Sequence, residues 1–494
     1  MTTTEAPDSK HKQALDLATD GRHEQALAVL REHLLAHPAD GEALNDAGAL
    51  LYGLGRFEEA IRHLDMGLHQ LPTRPAQTLG NLAEAYLAAG QPGETLGLFD
   101  ELARAGALTA DLANRTATAM LQADDRPNAM EALLCSMQVA GPEQRTALRP
   151  VLDKLRRLRP AIGFVWSPGE MTVSAGRMLR RLCGFLQQRF SLRAWSAGDP
   201  GELAEFLEGC GIAWLEGCGR QTALATRLPK TCRIVVHVRP HEAYRPTLEE
   251  VNWANVDLLV TSATRPVRDF LARRLSDFTQ TGRIEHLPVG VDVRKLPQPA
   301  RRAGKHLACI GNLGPRQNTT FLIQCFRRLH GLDPDYRLSF AGYFLDDALE
   351  AYLGGLLRDL DLREAVSFDG WQENLPAWLA DKQFVVSAGI LQPRDTSVLE
   401  AMAVGLQPVI HHFPGAEELY PEAALFRTEE EFCRRVLDGG GDPAAQRRFV
   451  EQRYGIEAFL VRAGTLFVEL EKRPLAPRTG EPVPQAADAG SEAR

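Results

Sequence analysis

A repeat of 34 or 35 residues runs through the first 140 residues of the chain. Its four units read GRHEQALAVL, GRFEEAIRHL, GQPGETLGLF and DRPNAMEALL, and they begin at Gly21, Gly55, Gly90 and Asp125. A glycine at the turn allows a left-handed C-cap, and the small residues Gly48 and Ala83 let two helices approach closely. One such helical hairpin cannot bury its apolar face alone, so the pattern predicts an all-α solenoid of about four stacked hairpins.

The last two units depart from the first two. Thr95 and Met130 stand where the earlier units have alanine, and Thr118 stands where they have Gly48 and Ala83. With its period of 34 or 35 residues, the repeat nevertheless resembles the tetratricopeptide repeat (TPR). The resemblance implies a right-handed superhelix whose concave groove binds a peptide or a partner protein. The alternative is that the repeats only dock against the rest of the chain or dimerise it.

Composition and charge narrow the class of protein. The 494 residues include 56 Lys and Arg against 64 Asp and Glu, for a net charge of −8, which argues against a protein that mainly coats nucleic acid. Apolar runs fall far short of the roughly 20 residues that span a bilayer, and the polar N-terminus lacks the apolar region of a secretory signal. The eight cysteines show no paired spacing typical of a zinc site. We therefore expect a cytoplasmic protein with no transmembrane segment and no nucleic-acid partner.

After Arg159, short apolar runs alternate with helical patterns in β-α-β order, which predicts parallel sheets with helices on both faces. The first series of predicted strands is 162–166, 191–195, 212–216, 233–238, 256–262 and 283–289. The second series is 306–311, 336–342, 365–370, 384–389, 407–412 and 424–428. The proline-rich, basic segment 293–305 between them is typical of a linker. Two doubly wound domains of this α/β class bind ligands beyond the carboxyl ends of their strands, so the cleft between them is the predicted site.

These patterns divide the chain into six predicted segments. They are a disordered N-terminus (1–9), the TPR-like repeats (10–140), a helical connector (141–158), a first Rossmann-like domain (159–295), a second Rossmann-like domain with a C-terminal helix (304–472) and a disordered tail (473–494).

The most informative stretch is 387–421, SAGILQPRDTSVLEAMAVGLQPVIHHFPGAEELYP. A helix is predicted to open at Thr396 and Ser397 after a polar loop, to carry Glu400 and to end near Gly405. Backbone N–H groups at such a helix terminus can hold a diphosphate, and a carboxylate one turn inside can accept hydrogen bonds from a ribose diol. A solvent-exposed helix carboxylate has the same pattern, so the residues alone leave both interpretations of Glu400 open.

Several segments together resemble the GT-B glycosyltransferases, specifically glycosyltransferase family 4. They are VLEAMAVGLQPVI, LPVGVD (287–292), YRLSFAG (336–342) and VSFDGWQENLPAWLADKQFVVSAG (366–389), within a match of roughly 160–472. The resemblance implies a GT-B fold and retaining transfer of a hexose from a nucleotide-sugar donor to a protein or cell-surface glycan. It makes Glu400 the ribose-binding glutamate and assigns the sugar and diphosphate to Gln392, Arg394, Asp395, Thr396, Ser397 and Val398.

The chain departs from the family at the positions that carry charge. Gln392 replaces the first acidic residue of the family's pair, and Asn312 and Gln317 replace an arginine and a lysine that grip the pyrophosphate. Losing two cations weakens the stabilisation of a leaving nucleoside diphosphate. We predict that Arg316 and Arg394 replace them, although ordinary surface arginines would give the same pattern.

In the first Rossmann-like domain, RIVVHVRPHEAYRP (233–246) resembles a family strand followed by an H..E signature. His237 lies within the strand and is interpreted as a core residue, whereas His241 and Glu242 follow its carboxyl end. We predict that His241 orients the sugar or relays an acceptor proton. Glu242 and Glu216 are acceptor-side candidates, and for Glu216 a structural role fits equally well.

The pair Asp333 and Asp335 is the one candidate for a divalent cation, because a DxD motif holds a metal in another glycosyltransferase fold. Here it lies between a predicted helix and strand and is interpreted as a turn. We therefore predict no metal and no cofactor. Two alternatives to sugar transfer stay open: a degenerate GT-B scaffold whose repeats carry a protein-binding function, and a GT-B enzyme of another reaction type, such as an epimerase or a phosphorylase.

Overall fold

The computed structural model describes residues 7–167, 173–196, 199–300, 304–391, 396–439 and 441–475. The chain forms two compact units that divide after Arg159.

The first unit consists of helices in which consecutive members pack against each other. Their bounds are α1 Pro7–Thr19, α2 His23–Ala36, α3 Gly41–Gly53, α4 Phe57–Gln70, α5 Ala76–Ala88, α6 Pro92–Gly97, α7 Phe99–Arg104, α8 Ala110–Gln122, α9 Arg126–Val139 and α10 Pro142–Leu158. Small buried residues make the close packing possible. A Cβ atom on Gly48 would lie 2.5 Å from the Cγ atom of Leu64 in the next helix, so only glycine fits there. Leu152 and Leu155 of α10 belong to the same apolar core as the repeats.

The fourth repeat is offset by one residue from the sequence alignment. The left-handed turn residue is Asp124 (φ 55°), equivalent to Gly55 and its counterparts, and Asp125 instead accepts a hydrogen bond from the Asn128 amide as the N-cap of α9. The small-residue positions of this unit are therefore occupied by Ala117 and Ala129, both buried.

The predicted departures at Thr118 and Met130 were wrong. Asp124 adopts the left-handed conformation that glycine adopts at the turns of the other units, so the fourth unit begins one residue earlier. Thr95 is a true departure. Its buried hydroxyl donates to the Ala83 carbonyl at 3.2 Å.

The second unit contains two parallel six-stranded sheets. The first has the order β2-β1-β3-β4-β5-β6, with strands β1 Ile162–Trp166, β2 Leu192–Trp195, β3 Ile212–Glu216, β4 Arg233–His237, β5 Leu258–Thr261 and β6 Arg283–His286. The second has the order β12-β11-β10-β7-β8-β9, with β7 His306–Ile310, β8 Arg337–Ala341, β9 Val366–Phe368, β10 Phe384–Ser387, β11 Gln407–His411 and β12 Leu425–Phe426. The predicted fold class, a helical solenoid followed by two doubly wound α/β domains, is confirmed.

The helices of the second unit lie between the strands and after the last of them. They are α11 Val173–Leu186, α12 Pro200–Glu208, α13 Arg220–Arg227, α14 Arg265–Arg274, α15 Ser276–Thr281, α16 Thr319–Leu332, α17 Asp347–Asp359, α18 Leu375–Trp378, α19 Ser397–Ala403, α20 Ala416–Leu419, α21 Glu429–Leu437, α22 Pro443–Tyr454 and α23 Ile456–Lys472. None of the helices in the described ranges is both long and apolar enough to cross a membrane.

The two sheet domains of the second unit are joined at several points. The last helix, α23, returns to the first sheet, where Phe459 and Phe467 enter the same apolar core as Phe164 and Trp214. The buried guanidinium of Arg447 in α22 donates to backbone carbonyls of the linker, among them those at residues 293 and 297, each at 2.8 Å.

A further contact joins the start of α14 to α20. The Thr264 hydroxyl donates to the Pro414 carbonyl at 2.9 Å, and the Arg265 amide donates to the Glu418 carboxylate at 2.8 Å. The two sheet domains therefore contact each other directly.

Candidate functional site

Glu400 lies on α19, which follows β10 at the carboxyl edge of the second sheet. The Thr396 hydroxyl donates to its Oε1 at 2.7 Å, and Arg177 Nη1 of α11 lies 3.8 Å from its Oε2. The side chain is 17% exposed, so it is neither a core residue nor a freely solvated one. One carboxylate oxygen is thus held by its own helix, and the other faces a cation of the first sheet domain.

The rest of the predicted donor loop is only partly described. Ser397 and Val398 are buried at the start of α19, and Val398 belongs to an apolar core. The predictions for Gln392, Arg394 and Asp395 fall outside the described residues.

Asn312 and Gln317 use their amides within the protein. Asn312 Oδ1 accepts a hydrogen bond from the Tyr343 amide at 3.1 Å, and this bond joins the loop after β7 to the loop after β8. Gln317 Nε2 donates to the Ile310 carbonyl at 3.2 Å. The same nitrogen lies so close to Gly311 that a Cβ atom on residue 311 would be 2.5 Å from it. Both residues shape the loop, and neither supplies the positive charge that the family places there.

Arg316 lies in the 3-10 turn Pro315–Gln317 after β7. Its carbonyl accepts a hydrogen bond from the Ile390 amide at 3.1 Å, which ties this turn to the chain beyond β10. Partial burial and the positive charge of Arg245 hold the pKa of its guanidinium below the usual value. A guanidinium whose charge is opposed by a nearby cation is stabilised when an anion binds beside it.

His241 lies in the 3-10 turn Pro240–Tyr244 that follows β4, and it is 4% exposed. Burial and the neighbouring cations Arg316, Arg239 and Arg245 lower its pKa to about 3, so the imidazole is neutral at pH 7. Its Nδ1 is buried and has no hydrogen-bond partner within the described part of the chain. The charge of Arg316 in the second sheet domain thus acts on His241 of the first, and both residues belong to the predicted site.

Glu216 forms a buried pair with His237. Its carboxylate accepts hydrogen bonds from the Trp214 indole at 3.0 Å and from His237 Nδ1 at 2.9 Å, and its side chain is 2% exposed. Although burial opposes the charged form, the pairing with His237 holds the pKa of Glu216 below its ordinary value. These contacts fit the structural alternative for Glu216, and they agree with the core position expected for His237.

Glu242 is fully buried and faces Arg239. Its Oε1 lies 2.5 Å from Arg239 Nη2, and its Oε2 accepts a hydrogen bond from the Arg239 amide at 2.8 Å. Both carboxylate oxygens close the turn on which His241 stands, so Glu242 has a structural role, and a role toward an acceptor stays a prediction.

The Asp333 and Asp335 pair lies in a turn between α16 and β8. Lys305 Nζ lies 2.6 Å from the Asp333 carboxylate and 3.1 Å from that of Asp335. One lysine thus balances the two carboxylates, as expected for a solvent-exposed turn.

Two cations near the predicted site residues, Arg177 and Arg245, were not predicted from the sequence. Arg177 lies in a segment with no recognisable motif, and Arg245 lies three residues after Glu242, outside the H..E signature. Their relevance depends on the approach of the two domains, and no local sequence pattern contains that information.

Comparison with known families supports both halves of the sequence prediction. Residues 304–438 match the family model described as glycosyl transferases group 1, and residues 17–79 match a tetratricopeptide repeat model. The predicted resemblance to a glycosyltransferase with TPR repeats is therefore confirmed. No functionally curated protein has a sequence that matches the chain significantly.

Solved structures share the fold at low sequence identity. HepE of Anabaena in complex with UDP has a TM-score of 0.50 and 14% identity, over 63% of this chain and 100% of that one. Sucrose-phosphate synthase of Thermosynechococcus elongatus also has a TM-score of 0.50, with 16% identity over 63% and 99% of the two chains. A mutant of S. aureus TarM has a TM-score of 0.46 and 14% identity, and the match spans 54% of this chain but only 58% of TarM.

Proposed function

We propose that this chain, in which a glycosyl transferases group 1 domain follows tetratricopeptide repeats, transfers a sugar from a nucleotide-sugar donor to a hydroxyl group of a protein or cell-surface glycan. The observation that carries the proposal is the setting of Glu400. Thr396 orients one of its carboxylate oxygens, and the other is turned toward the opposite domain. A ribose diol entering between the domains would donate to this carboxylate.

The diphosphate of the donor lies near Arg316 in this proposal. A leaving nucleoside diphosphate carries about two to three negative charges, and fixed cations in a partly buried site stabilise that charge as the glycosidic bond breaks. Arginines supply this charge directly, so the transfer needs no metal ion. Retention of the anomeric configuration is carried over from the family resemblance.

His241 acts on the sugar as a neutral imidazole. With a pKa of about 3 it carries no charge at pH 7, so it offers one N–H donor and one acceptor nitrogen to hydroxyl groups. Its unpartnered, buried Nδ1 is the atom that such a hydroxyl would satisfy. His241 therefore orients the sugar in this proposal and does not act as a charged acid.

The repeats recruit the acceptor or a partner protein. Neighbouring repeats bury one another's apolar faces and leave polar side chains of the first helix of each pair exposed, among them Glu42 and Asp111. A stacked array of this kind presents an extended surface rather than a closed pocket, which suits a polypeptide ligand.

A nucleotide screen with the full chain tests the donor site. Purified protein is heated with UDP, GDP, ADP, dTDP or CMP, with UDP first because HepE was crystallised with it. A ligand at 100 times its dissociation constant adds about 2.7 kcal/mol to the free energy of unfolding. We expect one nucleotide to stabilise the protein and Glu400→Gln to abolish the shift, while Glu350→Gln on the exposed face of α17 keeps it.

The absence of any shift would favour the scaffold hypothesis, in which the repeats carry the function. Product analysis with and without acceptor separates transfer from epimerisation, because an epimerase consumes the nucleotide sugar alone. Loss of turnover in the presence of a chelator would contradict the metal-independent mechanism.

A further inference from the structure

The described part of the second domain supplies little positive charge to the donor site. The family places two cations at positions that are Asn312 and Gln317 here, and both amides are engaged in loop contacts. Arg316 is the cation of the described second domain that lies beside His241 at this edge. A diphosphate with about two to three negative charges requires more than one such partner.

Arg177 reaches the donor site from the first sheet domain. It lies on α11, and its Nη1 is 3.8 Å from Glu400 Oε2, too long for a hydrogen bond but close enough for charge attraction. The Arg177 side chain is 43% exposed, so a ligand can reach it. A ribose diol that binds Glu400 would compete with Arg177 for Oε2 and leave the guanidinium available to an adjacent phosphate.

Arg245 approaches the same region from another element of the first domain. Its amide donates to the Glu242 carbonyl at 3.0 Å, and the buried pair of Glu242 and Arg239 fixes the turn that precedes it. Its charge acts on both His241 and Arg316 across the cleft. Within the described ranges neither Arg245 nor Arg316 forms an ion pair with a carboxylate, so both charges can act on a bound anion.

We propose that Arg177 and Arg245 of the first sheet domain bind the diphosphate of the donor together with Arg316 of the second. This inference rests on the proposed function and adds to it. The diphosphate is held between the two domains, and most of the positive charge that balances it comes from the first sheet domain, which in the family binds the acceptor. Donor binding then draws the two domains together, because an anion between the guanidiniums replaces repulsion with attraction.

Calorimetric titration of single variants tests the assignment. The full chain, Arg177→Gln, Arg245→Gln and the control Arg273→Gln are titrated with the nucleoside diphosphate selected by the screen, with its parent nucleoside and with inorganic pyrophosphate. Arg273 is an exposed arginine of α14 in the same domain. We expect about a tenfold or greater loss of diphosphate affinity in each site variant, no change in the control, and unchanged nucleoside affinity, because only the phosphates contact these side chains.

The outcomes separate this inference from the proposed function. Equal losses of affinity for the nucleoside and the diphosphate would show that the arginines only maintain the fold. Unchanged diphosphate affinity would show that they do not touch the phosphates. Either result overturns the inference but leaves the donor site intact. If the full chain binds pyrophosphate through both arginines but no nucleotide, the anion site stands and the glycosyltransferase proposal fails. If it binds none of the three ligands, both fail.

Discussion

The carboxyl edges of the two sheets use their charged side chains in opposite ways. At the first edge, Glu216 pairs with His237 and Glu242 with Arg239, and both carboxylates are buried. At the second edge Glu400 keeps one oxygen turned to the cleft. A charge that is paired within the protein fixes geometry but has no capacity left for a ligand. The first edge is therefore a rigid support that holds cations in position, and the second is where a ligand is bound.

Removing the buried pair should have the largest effect on stability. In Glu216→Ala the Trp214 indole and His237 lose their buried partner, and breaking such a pair costs about 3–5 kcal/mol. Thermal or denaturant unfolding measures the loss. Glu249→Ala, which breaks an exposed pair with Arg274, should cost no more than about 1 kcal/mol. A Glu216→Ala variant as stable as this control would refute the rigid-support interpretation of the first edge.

The pH dependence of stability should reveal the burial of His241. Its pKa is about 3 when folded and near 6.5 when unfolded, so the unfolded chain binds more protons between these values and stability falls as pH is lowered through that window. From pH 7 to pH 5 this group should remove about 2 kcal/mol. The pKa of Glu216 is below its ordinary value, so that carboxylate acts only at lower pH. His241→Gln should lose less stability over the same interval, and parallel curves for the two proteins would contradict the shifted pKa.

A substitution in the loop after β7, at the second edge, should have the smallest effect on stability. Asn312→Ala removes the acceptor of the Tyr343 amide, for which we expect a loss of about 1 kcal/mol in the free energy of unfolding. Asn312→Asp keeps an acceptor oxygen and should restore most of that stability. Faster hydrogen exchange at the Tyr343 amide in the alanine variant, reversed in the aspartate variant, would localise the effect. Equal exchange in all three proteins would show that Asn312 does not hold this loop.

The architecture of the second unit could be predicted from sequence because buried parallel strands are short apolar runs between helical patterns. Each predicted strand is present, with ends within three residues of those observed. The largest error is at 283–289, where the chain leaves the sheet after His286 although apolar residues continue. Leu287 is nevertheless buried, in the core shared with α23. An apolar run marks residues that are buried, and here the buried residues continue past the end of the strand.

The candidate site was less predictable, for a different reason. The alternation of strands and loops locates Glu216, Glu242 and Glu400 near carboxyl ends, but it does not say which of them already has a partner. That depends on contacts across neighbouring strands and turns, such as that between Glu216 and His237. The position of Arg177 beside Glu400 depends on how the first sheet domain packs against the second, and no local sequence pattern describes that packing.

The return of α23 to the first sheet has a consequence for synthesis. Its apolar face completes a core whose last strand, β6, ends at His286, so about 170 residues are translated between that strand and the start of the helix. At about 5–20 residues per second the ribosome needs roughly 10–30 s for them. During this interval the nascent first sheet exposes Trp214 and Phe164 where the helix will later cover them. The apolar face of the first sheet is therefore covered only after the last helix of the described chain has been made.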